Sequence, residues 1–261
     1  MRGMELSDRV AVITGAASGI GAACARAFAA KGALVAVVDR NATGAQAVAD
    51  EVKGIAVGCD VSDESSVQSM VAEVIDRLGP IDILFNNAGV ATGGDILNVD
   101  PAVWDEQWGI NVMSHVYAIR AVLPAMLERG DGYILHTASM AGILTTHGNA
   151  TYAATKHAVV GLAEWMAVTY HHRGVRTSLL APLGVRTPML GDTDSAFAST
   201  AAGPIKEPEE VAGYVVDAIE QERFLILTDP IAQTWMDRKA GDLERWLNGM
   251  RRLQQQHFDT P

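Results

Sequence analysis

Thr14-Gly15-Ala16-Ala17-Ser18-Gly19-Ile20-Gly21 stands between a short β-branched run, Val10 to Ile13, and a helix pattern whose apolar face is Ile20, Ala23, Cys24, Ala27 and Phe28. A strand that feeds a glycine turn and then a helix has a mechanical use for each glycine. They allow a tight reversal, close approach of backbone N–H groups to a pyrophosphate, and close packing of helix on strand. A plain strand-to-helix turn would also accept this sequence, so the turn alone is weak. The next apolar run, Leu34 to Val38, ends in Asp39, eighteen residues beyond Gly21. A carboxylate there can bind ribose hydroxyls, and the two features together imply a dinucleotide site. Asp39 would oppose a 2′-phosphate by ~4 kcal/mol per charge pair at 4 Å and an effective dielectric near 20. Arg40 could attract that phosphate but can rotate into solvent, so NAD is expected, with NADP as the alternative.

Further runs follow at Ile55 to Val57, Ile81 to Phe85, Tyr133 to Leu135, Val175 to Leu180 and Phe224 to Leu227. Short and mostly β-branched, they read as strands buried on both faces of a parallel sheet. A helix pattern from Ser62 places Val67, Met70, Val71, Val74, Ile75 and Leu78 on one stripe and stops at Gly79-Pro80, and Asp100-Pro101 opens another as N-cap and first helical residue. The alternation predicts an α/β fold: a doubly wound parallel sheet of about seven strands with helices on both faces. One domain over 1–261 is expected, with 9–90 mainly for the dinucleotide and 91–228 for catalysis and substrate. Two segments break the rhythm. Residues 188–206 are too long for an ordinary connection and read as a lid or a disordered loop, with the lid favoured. Residues 229–261 carry Trp235, Leu243 and Trp246 and read as an amphipathic helix packed on the domain or a neighbouring subunit.

The 261 residues carry 20 Lys plus Arg against 31 Asp plus Glu, a net charge of −11, which disfavours a nucleic-acid partner. No run approaches the ~18 consecutive apolar residues of a membrane span, and no secretory apolar segment opens the chain, so no membrane partner and a cytoplasmic location are expected. Cys24 and Cys59 read as reduced core residues, and the seven histidines show no metal-ligand spacing, so no metal is expected.

With its Gly-x-x-x-Gly-x-Gly spacing the sequence resembles the short-chain dehydrogenase/reductase family, the single-domain Ser/Tyr/Lys type. The resemblance continues through Cys59-Asp60-Val61, Asn86-Asn87-Ala88-Gly89, Asn111, Ser139, and Tyr152 with Lys156, and spans residues 9 to about 228. It implies a cofactor-binding set of Gly15, Ser18, Gly19, Ile20, Gly21, Asp39 and Arg40, with Asp60 and Val61 at the adenine. It adds Asn87, Ala88 and Gly89 at the adenosine side, Pro182, Gly184, Val185 and Thr187 toward the carboxamide, and Lys156 at the nicotinamide ribose. Asn111 and Tyr152 border the same groups.

Tyr152 and Lys156 lie four residues apart in a predicted helix and so share a face. A free phenol has a pKa near 10, and an ammonium about 4 Å away supplies up to ~4 kcal/mol, roughly the three units needed for a phenolate near neutral pH. As a bare pair they would read as surface residues; the resemblance makes them catalytic, with Ser139 holding the substrate oxygen and Asn111 kinking its helix and holding a water on the proton path. Hydride transfer between a carbinol carbon and nicotinamide is implied, Tyr152 moving the alcohol proton. The family's Pro-Gly pair is here Pro182-Leu183, with Gly184 one place later, so Leu183 could line the substrate cavity instead. His136, where the family often has Asn, and His147 read as a buried satisfied histidine and a loop histidine.

The substrate rim is expected to comprise Ser139, Ala141, Ile143, Leu144, His147, Tyr152, Leu183, Met189, Leu190 and Phe197, which favours an apolar secondary alcohol or ketone. An NADP-dependent carbonyl reductase and a nucleotide-sensing protein without turnover are the rivals. A homotetramer is expected from helices around Asn111 to Leu123 and Tyr152 to Val168, whose Val116, Val122, Val159, Leu162 and Trp165 exceed one face.

Overall fold

A computed structural model describes residues 3–190 and 203–257. Strands β1 (Val10–Thr14), β2 (Leu34–Asp39), β3 (Ile55–Gly58), β4 (Ile83–Asn86), β5 (Gly132–Thr137), β6 (Val175–Ala181) and β7 (Leu225–Leu227) form one parallel sheet in the order β3-β2-β1-β4-β5-β6-β7. The chain starts in the middle of the sheet, runs outward to β3, and returns to pair β4 with β1, Ile83 opposite Ala11. Two crossovers leave β1 and β4 in opposite directions, opening a crevice at their C-terminal ends, where ligands bind in such sheets.

Helix α1 (Gly19–Ala30) and α2 (Ala42–Val52) cover one side of the first half, and α3 (Glu64–Leu78) the other. Phe28 of α1 stacks on Phe85 of β4 at 6.5 Å, and both are fully buried. Burial of such side chains supplies about 1.5–3 kcal/mol each, which fixes helix against sheet. The α3 helix begins two residues later than its pattern suggested because Asp63 caps it, accepting from Ser65 N. Val67, Met70, Val71 and Val74 are buried there and Leu78 packs on the same core, but Ile75, at the edge of the stripe, is 45% exposed.

Asp100 caps α4 (Pro101–Trp108) by accepting from Ala102 N. A π-helical turn, Gly109–Met113, joins α4 to α5 (Ser114–Arg129). The continuous run Pro101–Arg129 is long and apolar enough to cross a membrane by length and composition, but half of its most apolar window is buried within the protein. A short α6 (Ala141–Leu144) precedes α7 (Ala150–Tyr170), and α8 (Pro208–Glu220) packs beside α1. The C-terminal segment is two helices rather than one, α9 (Pro230–Gly241) and α10 (Leu243–His257), because Asp242 is extended between them. Trp235 and Trp246 pack there against Met140, Leu144, Ala181 and Ala232, whereas Leu243 is about half exposed. Cys24 and Cys59 are free, buried thiols.

Candidate active site

Gly15 and Gly19 adopt φ of +64° and +55°, the left-handed region that side chains avoid. A Cβ on Gly15 would lie 2.8 Å from Ala88 Cα, and one on Gly19 would lie 3.0 Å from Thr187 Cγ2. Gly21 is a packing position, off the cleft wall: its Cβ would meet the Gly15 carbonyl at 2.4 Å. The Ser18 side chain makes no capping bond. The amide-rich start of α1 thus faces a cleft of about 1580 Å³ that runs along the C-terminal edge of the sheet.

Register places Asp39 at the last position of β2, and the turn fixes its carboxylate: Oδ2 accepts from Ala17 N at 3.0 Å and Oδ1 from Asn41 N at 2.9 Å. Arg40 and Val61 border the cleft beside it, as does Asp60, whose carboxyl is held low by hydrogen bonds from Ser62. Asn87 ties the walls together, donating from Nδ2 to Thr14 O at 3.0 Å and accepting from Thr137 Oγ1 at 3.1 Å. Ile20, Ala88, Gly89, Pro182, Gly184, Val185 and Thr187 also line the cleft. The Pro182 carbonyl accepts from Met140 N at 3.0 Å, which binds the Pro-Leu-Gly departure to the loop after β5. These residues fit a dinucleotide: a cradle that side chains would fill, and an oriented carboxylate at the adjoining strand end.

Asn149 caps α7 by accepting from Tyr152 N, so Tyr152 lies in the first turn and Lys156 one turn on. Lys156 is buried; its Nζ donates to Thr137 O at 2.9 Å and lies 5.7 Å from the Tyr152 ring centre. Burial pushes that ammonium down to about 8. Burial also pushes the Tyr152 phenol up, opposed by a hydrogen bond with Ser139. The expected lowering of the phenol by Lys156 is therefore not met in this arrangement: desolvation is the largest influence on the phenol, and the Lys156 ammonium donates to a carbonyl. Ser139 in turn accepts from Ala141 N at 3.1 Å.

Asn111 sits in the π turn, fully buried and off the cleft wall. Its Oδ1 accepts from Val90 N at 2.8 Å while Nδ2 donates to Val90 O and Thr155 Oγ1. The side chain clamps the segment after β4. A Cβ on Gly89 would come 3.2 Å from Asn111 Oδ1 and 3.3 Å from Lys156 Nζ, so this glycine keeps the space between them open. His136 is buried but only half satisfied: its Nδ1 meets Nδ1 of His115 at 2.9 Å, and neither Nε2 has a partner among the described residues.

Ala141, Leu144, His147, Leu183, Met189 and Leu190 line the cleft as expected. Ile143 does not: α6 turns it into the cluster around Met140 and Ala232, and its carbonyl accepts from Lys239 Nζ. Phe197 and most of the 188–206 segment lie outside the described residues. His147 Nδ1 meets Gln254 Oε1 at 2.9 Å, which joins the rim to α10. Trp235, Trp246, Met250 and Leu253 of the C-terminal helices also line the cleft, as do Arg238, Arg245 and Arg252. Their sequence signal was the amphipathic pattern, which says that a face is covered but not what it covers. Among the described residues no group of three His, Cys, Asp or Glu could hold a metal ion.

A family model described as short chain dehydrogenase matches residues 9–197. A D-threitol dehydrogenase from Mycolicibacterium smegmatis is 40% identical over 188 residues, 70% of this chain and 72% of that protein. A 1-deoxy-11-beta-hydroxypentalenate dehydrogenase from Streptomyces exfoliatus is 35% identical over 250 residues, 93% and 90% of the two chains. The crystal structure of a short chain dehydrogenase/reductase from Burkholderia phymatum in complex with NAD superimposes with a TM-score of 0.85 at 30% identity, covering 92% of this chain and 96% of that one.

Proposed function

The chain belongs to the short chain dehydrogenase family, and from that premise we propose that it is an NAD-dependent oxidoreductase of secondary alcohols and ketones in which Tyr152 carries the proton. The observation that carries this reading is the convergence of Ser139, Tyr152 and Lys156 with the glycine turn in one cleft, Lys156 Nζ lying 5.7 Å from the Tyr152 ring centre. Relatives named as dehydrogenases of threitol and of a hydroxypentalenate, and a neighbouring structure in complex with NAD, support it.

Bound in the cradle, nicotinamide would supply the hydride acceptor or donor. Gly15, Gly19 and the start of α1 would receive its phosphates, Asp39 would hold its adenosine ribose, and Lys156 the ribose at the other end. Ser139 Oγ orients the substrate oxygen and donates to it as negative charge develops. The Tyr152 hydroxyl gives that oxygen a proton in reduction and takes one in oxidation. Lys156, cationic at neutral pH and one turn away, offsets part of the desolvation that opposes the phenolate; Asn111 holds the π turn behind it.

A panel of secondary alcohols and ketones with NAD and NADP, followed by nicotinamide absorbance, tests the assignment. Tyr152→Phe keeps the ring and removes the transferable proton, so cofactor binding should persist while turnover falls at least ~100-fold. Wild-type turnover in that variant would end the Tyr152 mechanism.

A further inference from the structure

The cleft continues past Ser139 and Tyr152 onto the C-terminal helices. There the spacing Trp246, Gly249, Met250 and Leu253 gives α10 one cleft-facing stripe, flanked by Arg245 and Arg252 two turns apart, with Arg238 contributed by α9. Most arginines elsewhere are occupied. Arg9, Arg26, Arg77, Arg176 and Arg186 hold carboxylates, Arg173 covers the Tyr170 ring, and Arg223 and Arg251 donate to Gln221 and Asn248. Among the described residues, the arginines whose guanidinium makes no hydrogen bond, ion pair or ring contact are Arg40, Arg238, Arg245 and Arg252, and all four line the cleft. Arg40 belongs to the dinucleotide end. The other three form a cationic wall at the opposite end of a chain whose net charge is −11.

The wall also carries Asp237 and Asp242. Asp237 accepts from Gln233 Nε2, and Asp242 accepts from Arg245 N, so each is tied to its own helix rather than to a guanidinium. Three cations against two carboxylates leave one net positive charge, which suits a monoanion and not a polyphosphate. Trp246 adds a buried indole N–H that has no partner among the described residues. Gly249 leaves the middle of the stripe open, a Cβ there meeting nothing nearer than Arg252 Nη2 at 3.9 Å. Planar guanidinium forks match a carboxylate, and the Trp, Met and Leu side chains of the stripe they flank match an apolar body.

We propose that the substrate is an apolar secondary hydroxy acid, or the corresponding keto acid, whose reacting carbon lies at Tyr152 and whose remote carboxylate is held by Arg238, Arg245 and Arg252. The inference rests on the alcohol and ketone chemistry proposed above and deepens it. The test is a homologous series of medium-chain secondary hydroxy fatty acids, each assayed beside its methyl ester. The acid should be favoured over the ester at least tenfold in kcat/KM, and added salt should shrink that ratio. In Arg245→Gln/Arg252→Gln the ratio should collapse toward one, Arg245→Lys should retain part of it, and the NAD dissociation constant should stay at the wild-type value.

A wild-type ratio near one across the series, or a ratio that survives the double substitution, overturns the carboxylate assignment while leaving alcohol oxidation standing. A cofactor dissociation constant that moves with the arginines also overturns it, assigning them to the dinucleotide instead. If neither acid nor ester turns over, the alcohol and ketone reading fails by itself. Calorimetric binding of the hydroxy acid and the ester to wild type and double variant then decides the carboxylate site directly.

Discussion

Asp39 shows how one residue can be read from spacing and then given a rigid job. Its two oxygens are pinned by Ala17 N and Asn41 N, so the carboxylate cannot swing aside to admit a phosphate without breaking both bonds. Each such charge-assisted bond contributes ~1.5–3 kcal/mol. Asp39→Ala should therefore weaken NAD and narrow its advantage over NADP, because a ribose acceptor and a phosphate repellent are lost together. Dissociation constants for both cofactors measure this, and unchanged values would show that Asp39 does not reach the ribose. At this scale the site was largely legible: Ser139, Tyr152, Lys156, the Gly15 and Gly19 turn, and Asp39 meet in one cleft. Each is fixed by a local rule, a strand end or one helical turn. Ile143 was misplaced because α6 is only four residues long, too short for a periodic pattern to say which side faces the cleft. The arginine wall was illegible, since Arg238, Arg245 and Arg252 reach the cleft only through the packing of helices far along the chain.

Packing of α5 against β5 buries a group that no strand or helix pattern explains, the His115–His136 pair. The rings stack at 5.2 Å and are fully buried. Burial holds His136 down to about 3 and His115 well below its usual range, with His136 and Lys156 adding repulsion on His115. Both are therefore neutral in the folded protein, while the unfolded chain takes up protons near pH 6.5. Their contribution to stability is fully present above that value and is lost as pH falls toward about 3. Each histidine costs up to about 1.4 kcal/mol per pH unit in that window. His136→Asn removes one titrating group and should flatten the fall in Tm between pH 7 and 5 relative to wild type. Parallel curves for the two proteins would show that the pair does not couple to folding. The strand ends were read within two residues because β-branched runs mark them; the break at Asp242 was missed although Gly241 stands directly before it, because the whole segment was read as one amphipathic helix.

Helices α5 and α7 carry the apolar surface from which an oligomer is expected. Of the residues whose pattern suggested a second apolar face, Val122 and Val159 are buried within the chain, which shrinks that face. What remains is concentrated late in α7: Trp165 is 56% exposed, edge-on to Tyr170, and Val168 is 83% exposed. Opposite them Val159, Ala163 and Met166 are buried, so α7 cannot turn Trp165 inward without exposing the other side. Large apolar side chains grouped on one helix face mark an interaction site, and a two-fold pairing would cover both copies with the same patch. A homo-oligomer built on this face, and a tetramer if a second axis repeats it, is the expected state. Light scattering at micromolar concentration should give a mass of several 27.7 kDa chains. Trp165→Glu with Val168→Glu should lower it, because a two-fold contact sets the introduced carboxylates against their own copies. A wild-type mass of one chain would refute the oligomer, whereas a dimer would keep the α7 contact and remove only the second axis.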